Sequence, residues 1–238
     1  MNQPTRNLHQ QIFDIIGQRI IAGTHAPGDS LHPDRLEQEL GVSKTVLREA
    51  LRVLASKGLI DSRQKRGTFV RPRADWNLLD SDLLRWQGAS AEDENFLTNL
   101  GEVRSIVEPA AARLAAQRRD DADLAALADA LRLMAEAGTD THASVEADLA
   151  FHASLLAAAH NELLTRMEVV IEAGLRVRDH LVHSADQWAD PVPAHRAVLD
   201  AVRDRNPDAA ERAVQHLLAQ ATADVDDLIH DPDRGHHA

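Results

Sequence analysis

The chain has 238 residues, enough for two modest domains, and 44% of them are hydrophobic without any apolar run long enough for a membrane span. It contains no cysteine, which excludes disulfides and thiolate metal sites, and residues 1–7 carry no apolar signal-peptide core, so a cytoplasmic protein with no membrane partner is expected. The net charge of -12 is unevenly spread: residues 1–73 hold 12 Lys and Arg against 7 Asp and Glu, a net of +5, and the remainder 14 against 31, a net of -17.

In the basic part, Ile12, Ile15, Ile16 and Ile20 recur at helical spacing, and Gly23 ends the run. Pro27-Gly28-Asp29 reads as a turn. Pro33 suits the first position of a short helix that runs to Leu40 and stops at Gly41. Ser43 can cap the next helix through its hydroxyl; that helix places Val46, Leu47, Ala50, Leu51 and Leu54 on one side and ends at Gly58. Leu59-Ile60 and Thr68-Phe69-Val70 then read as two short strands around a basic turn at residues 64–67. Helix, helix, turn, helix and hairpin is the order of a winged helix-turn-helix.

From Trp76 onward the pattern is helical almost throughout, rich in alanine and poor in β-branched residues. Helices are expected over roughly residues 78–87, 93–118, 121–137, 141–159, 161–183, 192–204 and 207–229, packed as an antiparallel all-α bundle. The predicted organisation is a winged helix-turn-helix DNA-binding domain over 1–73, a linker helix over 74–92 and a helical domain over 93–230, to which the family resemblance below assigns effector binding and dimerisation.

Within the bundle, Asp148 and His152 are four residues apart on one helical face, so both side chains can reach one ion. His195 precedes Val198-Leu199 and His216 precedes Leu217-Leu218, so each could point inward beside core leucines. One Asp and three His would suit zinc, nickel or manganese. Spacing alone favours a plain surface Asp–His pair, and thirteen histidines make accidental matches easy.

Residues 31–60, LHPDRLEQELGVSKTVLREALRVLASKGLI, followed by RGTFV at 66–70, resemble the GntR family of transcription regulators over about residues 8–71. The resemblance implies that the third helix enters the major groove of operator DNA. Ser43, Lys44, Thr45 and Arg48 lie at the exposed start of that helix, where such helices meet base edges. Arg35, Lys65 and Arg66 are placed for phosphate, and Gly67 would let the wing approach the minor groove. Lys44 stands where the family often has arginine, and Lys65 where it often has glycine, which bears on the operator sequence. Arg52 and Lys57 read more simply as surface cations.

Residues 93–229 resemble the FCD effector domain of the FadR-like subfamily. That resemblance implies a metal site at Asp148, His152, His195 and His216, with zinc as the first expectation. It also implies that Arg104 faces the ligand cavity, where a guanidinium can bind a carboxylate through two hydrogen bonds. Asn161 and Arg176 complete the expected effector site; the alternative for Arg104 is an internal salt bridge to Glu102, Glu108 or Asp148. Residues 75–86, DWNLLDSDLLRW, look like the linker of regulators of sugar-acid catabolism, so a sugar acid is the expected effector of a homodimeric repressor. Two rivals are an enzyme with a catalytic metal and a helical adaptor with a structural one. Neither explains the first seventy residues, and no nucleophile elbow or phosphate-binding glycine loop supports the enzyme.

Overall fold

A computed structural model of the protein describes residues 3–64, 67–89, 94–183 and 190–230. The chain divides into two compact units, residues 1–92 and 93–238, each with a core of its own.

The first unit opens with α1 (Gln3–Ile21), which buries Ile12, Phe13, Ile16 and Ile20. Helix α2 (Pro33–Leu40) starts on the predicted proline and ends at Gly41, whose φ of 64° lets its N–H turn back to the Glu37 carbonyl. Helix α3 (Lys44–Ser56) is capped by Ser43, which accepts from the Val46 N–H, and buries Val46, Leu47, Ala50 and Leu54. The wing is β2 (Ile60–Arg63) antiparallel to β3 (Gly67–Val70), with Ile60 opposite Val70 and Arg63 opposite Gly67. A third strand, β1 (Ser30–Leu31), pairs with the far edge of β3, giving the order β1-β3-β2. These two residues carry no strand signal in the sequence, because a strand so short is fixed by its partner.

Helix α4 (Ser81–Ala89) packs on α1 and contributes to the first core through Leu83 and Trp86. Asp80 accepts from the N–H groups of Asp82 and Leu83, and Lys57 at the end of α3 lies 2.7 Å from both Asp80 and Asp82. Trp86 sits in a notch that exists because residue 17 is glycine: a Cβ there would lie 2.3 Å from the indole. The indole N–H donates to Asp14 at 2.9 Å, and the ring meets Phe13 at a centroid distance of 4.9 Å. The segment expected as a linker therefore packs as an integral part of the first unit.

The second unit is all helix among the described residues: α5 (Glu94–Arg118), α6 (Asp121–Ala137), α7 (Thr141–Ala158), α8 (Glu162–Arg166), α9 (Glu168–His183), α10 (Val192–Arg203) and α11 (Pro207–His230). Asp120 and Asp123 form a reciprocal capping box at the start of α6, and Asp140 caps α7. The core is alanine-rich: Ala112, Ala115 and Ala116 of α5 let neighbouring helices approach Phe151, Leu155, Val198 and Leu217 closely. One long helix was expected over 161–183; the structure breaks it at Met167, where the backbone turns through short hydrogen bonds to Leu164 and Thr165. No glycine or proline marks that break. No described helix is long and apolar enough to cross a membrane.

Candidate functional site

The recognition surface follows from the packing of α3. With Val46, Leu47, Ala50 and Leu54 turned into the core, the 3.6-residue period leaves Ser43, Lys44, Thr45 and Arg48 exposed at the helix start. Arg35 is exposed on the adjoining α2. Lys44 makes only a loose 3.6 Å contact with exposed Asp34, an interaction worth little in water. Gly67 opens β3 with φ of 76° and nothing near the position of a Cβ, so the wing backbone is accessible there. Lys65 and Arg66 lie outside the described residues. Lys57, by contrast, is engaged by Asp80 and Asp82 and serves the junction of α3 with α4.

A second constellation lies inside the helical unit. Asp148 and His152, one turn apart on α7, and His195 at the start of α10 are all buried, and their ligand atoms lie within 4.8 Å of one another. His195 Nδ1 is 2.8 Å from the Pro191 carbonyl. A carbonyl can only accept, so Nδ1 carries the hydrogen and the neutral ring turns a bare Nε2 toward Asp148 Oδ1, 2.8 Å away. Two acceptors so close in a buried place require a cation between them, either a proton or a metal ion. The donor set therefore fits a divalent ion held by His and carboxylate. Phe151 walls the site, its ring edge-on to His195 at 4.9 Å between centroids.

Glu108 of α5 is the acidic partner that sequence reasoning placed only as one of three possible mates for Arg104. It is buried, accepts from Arg104 Nε at 2.6 Å, and lies 2.5 Å from His152 Nδ1. Its spacing of four from Arg104 was the available signal; its reach to α7 was not visible in one dimension. Burial pushes the Glu108 carboxyl up, but the charges of His152 and Arg104 outweigh it and bring it down to about 2. Burial likewise disfavours a charged His152, yet Glu108 and Asp148 raise it to about 9 in the absence of metal. Asp148 is driven up by burial and held well below the usual carboxylate range by the two histidines beside it. Arg104 Nη2 is buried without a hydrogen-bond partner among the described residues.

Three expected site residues lie elsewhere. His216 is exposed on α11: Val214, Leu217, Leu218 and Ala221 take the buried stripe, and the helix turns residue 216 to the other side. Arg176 is about half exposed and pairs with Glu146 and Glu172 along a groove between α7 and α9. Asn161 is the cap of α8, its side-chain oxygen accepting from Leu163 and Leu164. Gly174 of α9 was missed; a Cβ there would lie 3.2 Å from Arg104 Cδ, so the glycine makes room for the arginine stem.

A winged helix-turn-helix beside a helical unit with a buried Asp/His cluster defines the class of transcription regulators that read DNA with one domain and sense a small molecule with the other. Residues 8–70 match the bacterial regulatory proteins of the gntR family, and residues 99–220 match the FCD domain. The chain belongs to the gntR family and carries an FCD effector domain; it is a DNA-binding transcription regulator and not an enzyme. It is 35% identical over 221 residues to the galactonate operon transcriptional repressor of Escherichia coli (strain K12), covering 92% of this chain and 96% of that protein. It is 29% identical over 213 residues to the probable D-xylose utilization operon transcriptional repressor of Paenarthrobacter nicotinovorans, covering 88% of this chain and 84% of the relative. Among solved structures, Lar, which controls the expression of the Listeria monocytogenes agr system, shares the fold with a TM-score of 0.65 at 18% identity, over 92% of this chain and 97% of that one.

Proposed function

We propose that the protein represses genes of sugar-acid catabolism and leaves its operator when a carboxylate effector, with D-galactonate as the first candidate, binds beside Arg104. The observation that carries this reading is the buried Arg104 Nη2, without a hydrogen-bond partner among the described residues, on an arginine whose Nε is held by the same Glu108 that meets His152 of the Asp/His cluster. Asp148, His152 and His195 would hold a divalent ion, zinc first, with nickel or manganese compatible. Such an ion would offer the effector's carboxylate and adjacent hydroxyl an electrophilic contact. With both imidazoles neutral, one divalent ion, the Arg104 guanidinium and the carboxylates of Asp148 and Glu108 sum to a single positive charge. A monocarboxylate neutralises that charge. The likeness to a galactonate operon repressor supports an aldonic acid within this class.

On DNA, Arg48 and Lys44 would meet base edges, with Ser43 and Thr45 beside them and Arg35 on phosphate. Two chains would associate as a homodimer and set two α3 helices on a palindromic site. Effector binding can release the operator only if the effector prefers the arrangement that fits DNA poorly. The test is binding to the promoter beside its own gene, with and without D-galactonate and related aldonates. Release by one acid is expected, lost in Arg104→Ala and weakened in His195→Ala. Specific DNA binding indifferent to every acid would overturn the sugar-acid assignment, and absence of specific binding at any salt concentration would overturn the operator contacts.

A further inference from the structure

We infer that Glu108 is a positioning residue that ties the metal ligand His152 to the anion-gripping Arg104, so that the two halves of the pocket are aligned by one shared carboxylate. The inference rests on the reading of the Asp148, His152 and His195 cluster as a metal site. Glu108 is 1% exposed and stands one helical turn beyond Arg104 on α5. Its two oxygens face different partners, Oε1 the Arg104 Nε at 2.6 Å and Oε2 the His152 Nδ1 at 2.5 Å.

Each contact decides what its partner presents to a ligand. A carboxylate accepts only, so His152 places its hydrogen on Nδ1 toward Glu108 and leaves the Nε2 lone pair on the side of Asp148, 3.6 Å from Oδ1. This is the arrangement by which a second carboxylate fixes the tautomer and the plane of a metal-binding imidazole. On the other side, engaging Arg104 through Nε fixes the guanidinium plane and leaves Nη2 unpartnered. Gly174 clears the space for the arginine stem at 3.2 Å. The imidazole on α7 and the guanidinium on α5 are thereby held in one frame. Glutamine cannot reproduce this, because its amide has a single acceptor oxygen and would turn an NH2 toward one of two donors.

The test uses cobalt(II) alone as probe, with the full-length protein and no effector. Affinity is read by chelator competition and ligand geometry by the cobalt d–d absorption. Glu108→Gln is expected to weaken cobalt binding by about 10- to 100-fold and to change the absorption band, while Glu102→Gln, at an exposed position of the same helix, matches wild type. Arg104→Lys is the second variant, which keeps the charge and loses the Nε hydrogen bond. Arg104 makes no described contact with the three ligands, so a several-fold loss of cobalt affinity in Arg104→Lys reports the path through Glu108. Wild-type affinity and spectrum in a folded Glu108→Gln, or in Arg104→Lys should Glu108→Gln not fold, would overturn the inference while leaving the metal site intact. Failure of the wild-type protein to bind cobalt would overturn the metal reading and this inference together.

Discussion

The two units solve the problem of a core in opposite ways. The first buries large apolar side chains, among them Ile16, Ile20, Phe13, Leu54 and Trp86, and keeps its charges at the surface. The second is lined with alanine and encloses Arg104, Glu108, Asp148, His152 and His195. A reader of DNA needs a stiff platform for an exposed helix, and burial of large side chains supplies that at roughly 1.5–3 kcal/mol each. A sensor needs polar groups desolvated and aimed before the ligand arrives, which leaves it dependent on mutual pairing of charges.

The largest expected effect lies in the platform. Trp86→Ala should cost about 3–5 kcal/mol of stability, because it empties the notch between α1 and α4 and removes the indole donor from Asp14. Chemical denaturation followed by helical circular dichroism would check this; a loss below about 1 kcal/mol would mean that the first core does not depend on its large side chains.

Next comes a dependence that the sensor should have and the platform lacks. In the metal-free protein His152 keeps its proton to about 9, against an ordinary value of 6.5. A folded-state value above the unfolded one means that the stabilisation is complete below pH 6.5 and fades as pH rises through about 9. Urea unfolding across that window should lose on the order of a few kcal/mol in wild type, and saturating zinc should flatten the slope by replacing the proton at Nε2. An unchanged midpoint in the metal-free protein would show that the buried charges do not interact as described.

Two glycines give the finest comparison. Gly17→Ala drives a methyl into a rigid indole and should cost about 1–3 kcal/mol despite the better helix propensity of alanine. Gly174→Ala meets only the stem of Arg104, which can shift by a few tenths of an ångström, so its stability should change by less than about 1 kcal/mol. Its mark would be a modest loss of D-galactonate affinity by calorimetry. Equal thermal shifts for the two variants would erase the distinction between rigid platform and adjustable pocket.

Much of this was legible in one dimension because local chemistry marks it. Pro33, Gly41 and Ser43 announce the ends of α2 and α3 through a fixed φ, a left-handed turn and a capping hydroxyl, and the structure begins and ends those helices there. The asparagine at 161, by contrast, reads from the family resemblance as an effector-site group, although its side chain caps α8. What escaped depends on three dimensions. His216 and Leu217 are neighbours in sequence, but Leu217 lies in the buried stripe of α11 and His216 is exposed. Glu108 and His152 are far apart in sequence and meet only because α5 packs on α7. The break at Met167 rests on hydrogen bonds among its own turn, with no residue that advertises it.

The indole of Trp86 in its glycine notch bears on how such regulators trade parts. A gene fusion cut at Arg73, just past the wing, would carry away the recognition helix but leave the notch at Gly17 open to water and Asp14 without its indole donor. A cut after α4, which ends at Ala89, would keep Trp86 with the first core. Recombination between relatives should therefore succeed where both parents pair a small residue at 17 with a large ring at 86, and fail where one supplies a side chain and the other an indole. Two positions 69 residues apart would then be inherited as a single trait.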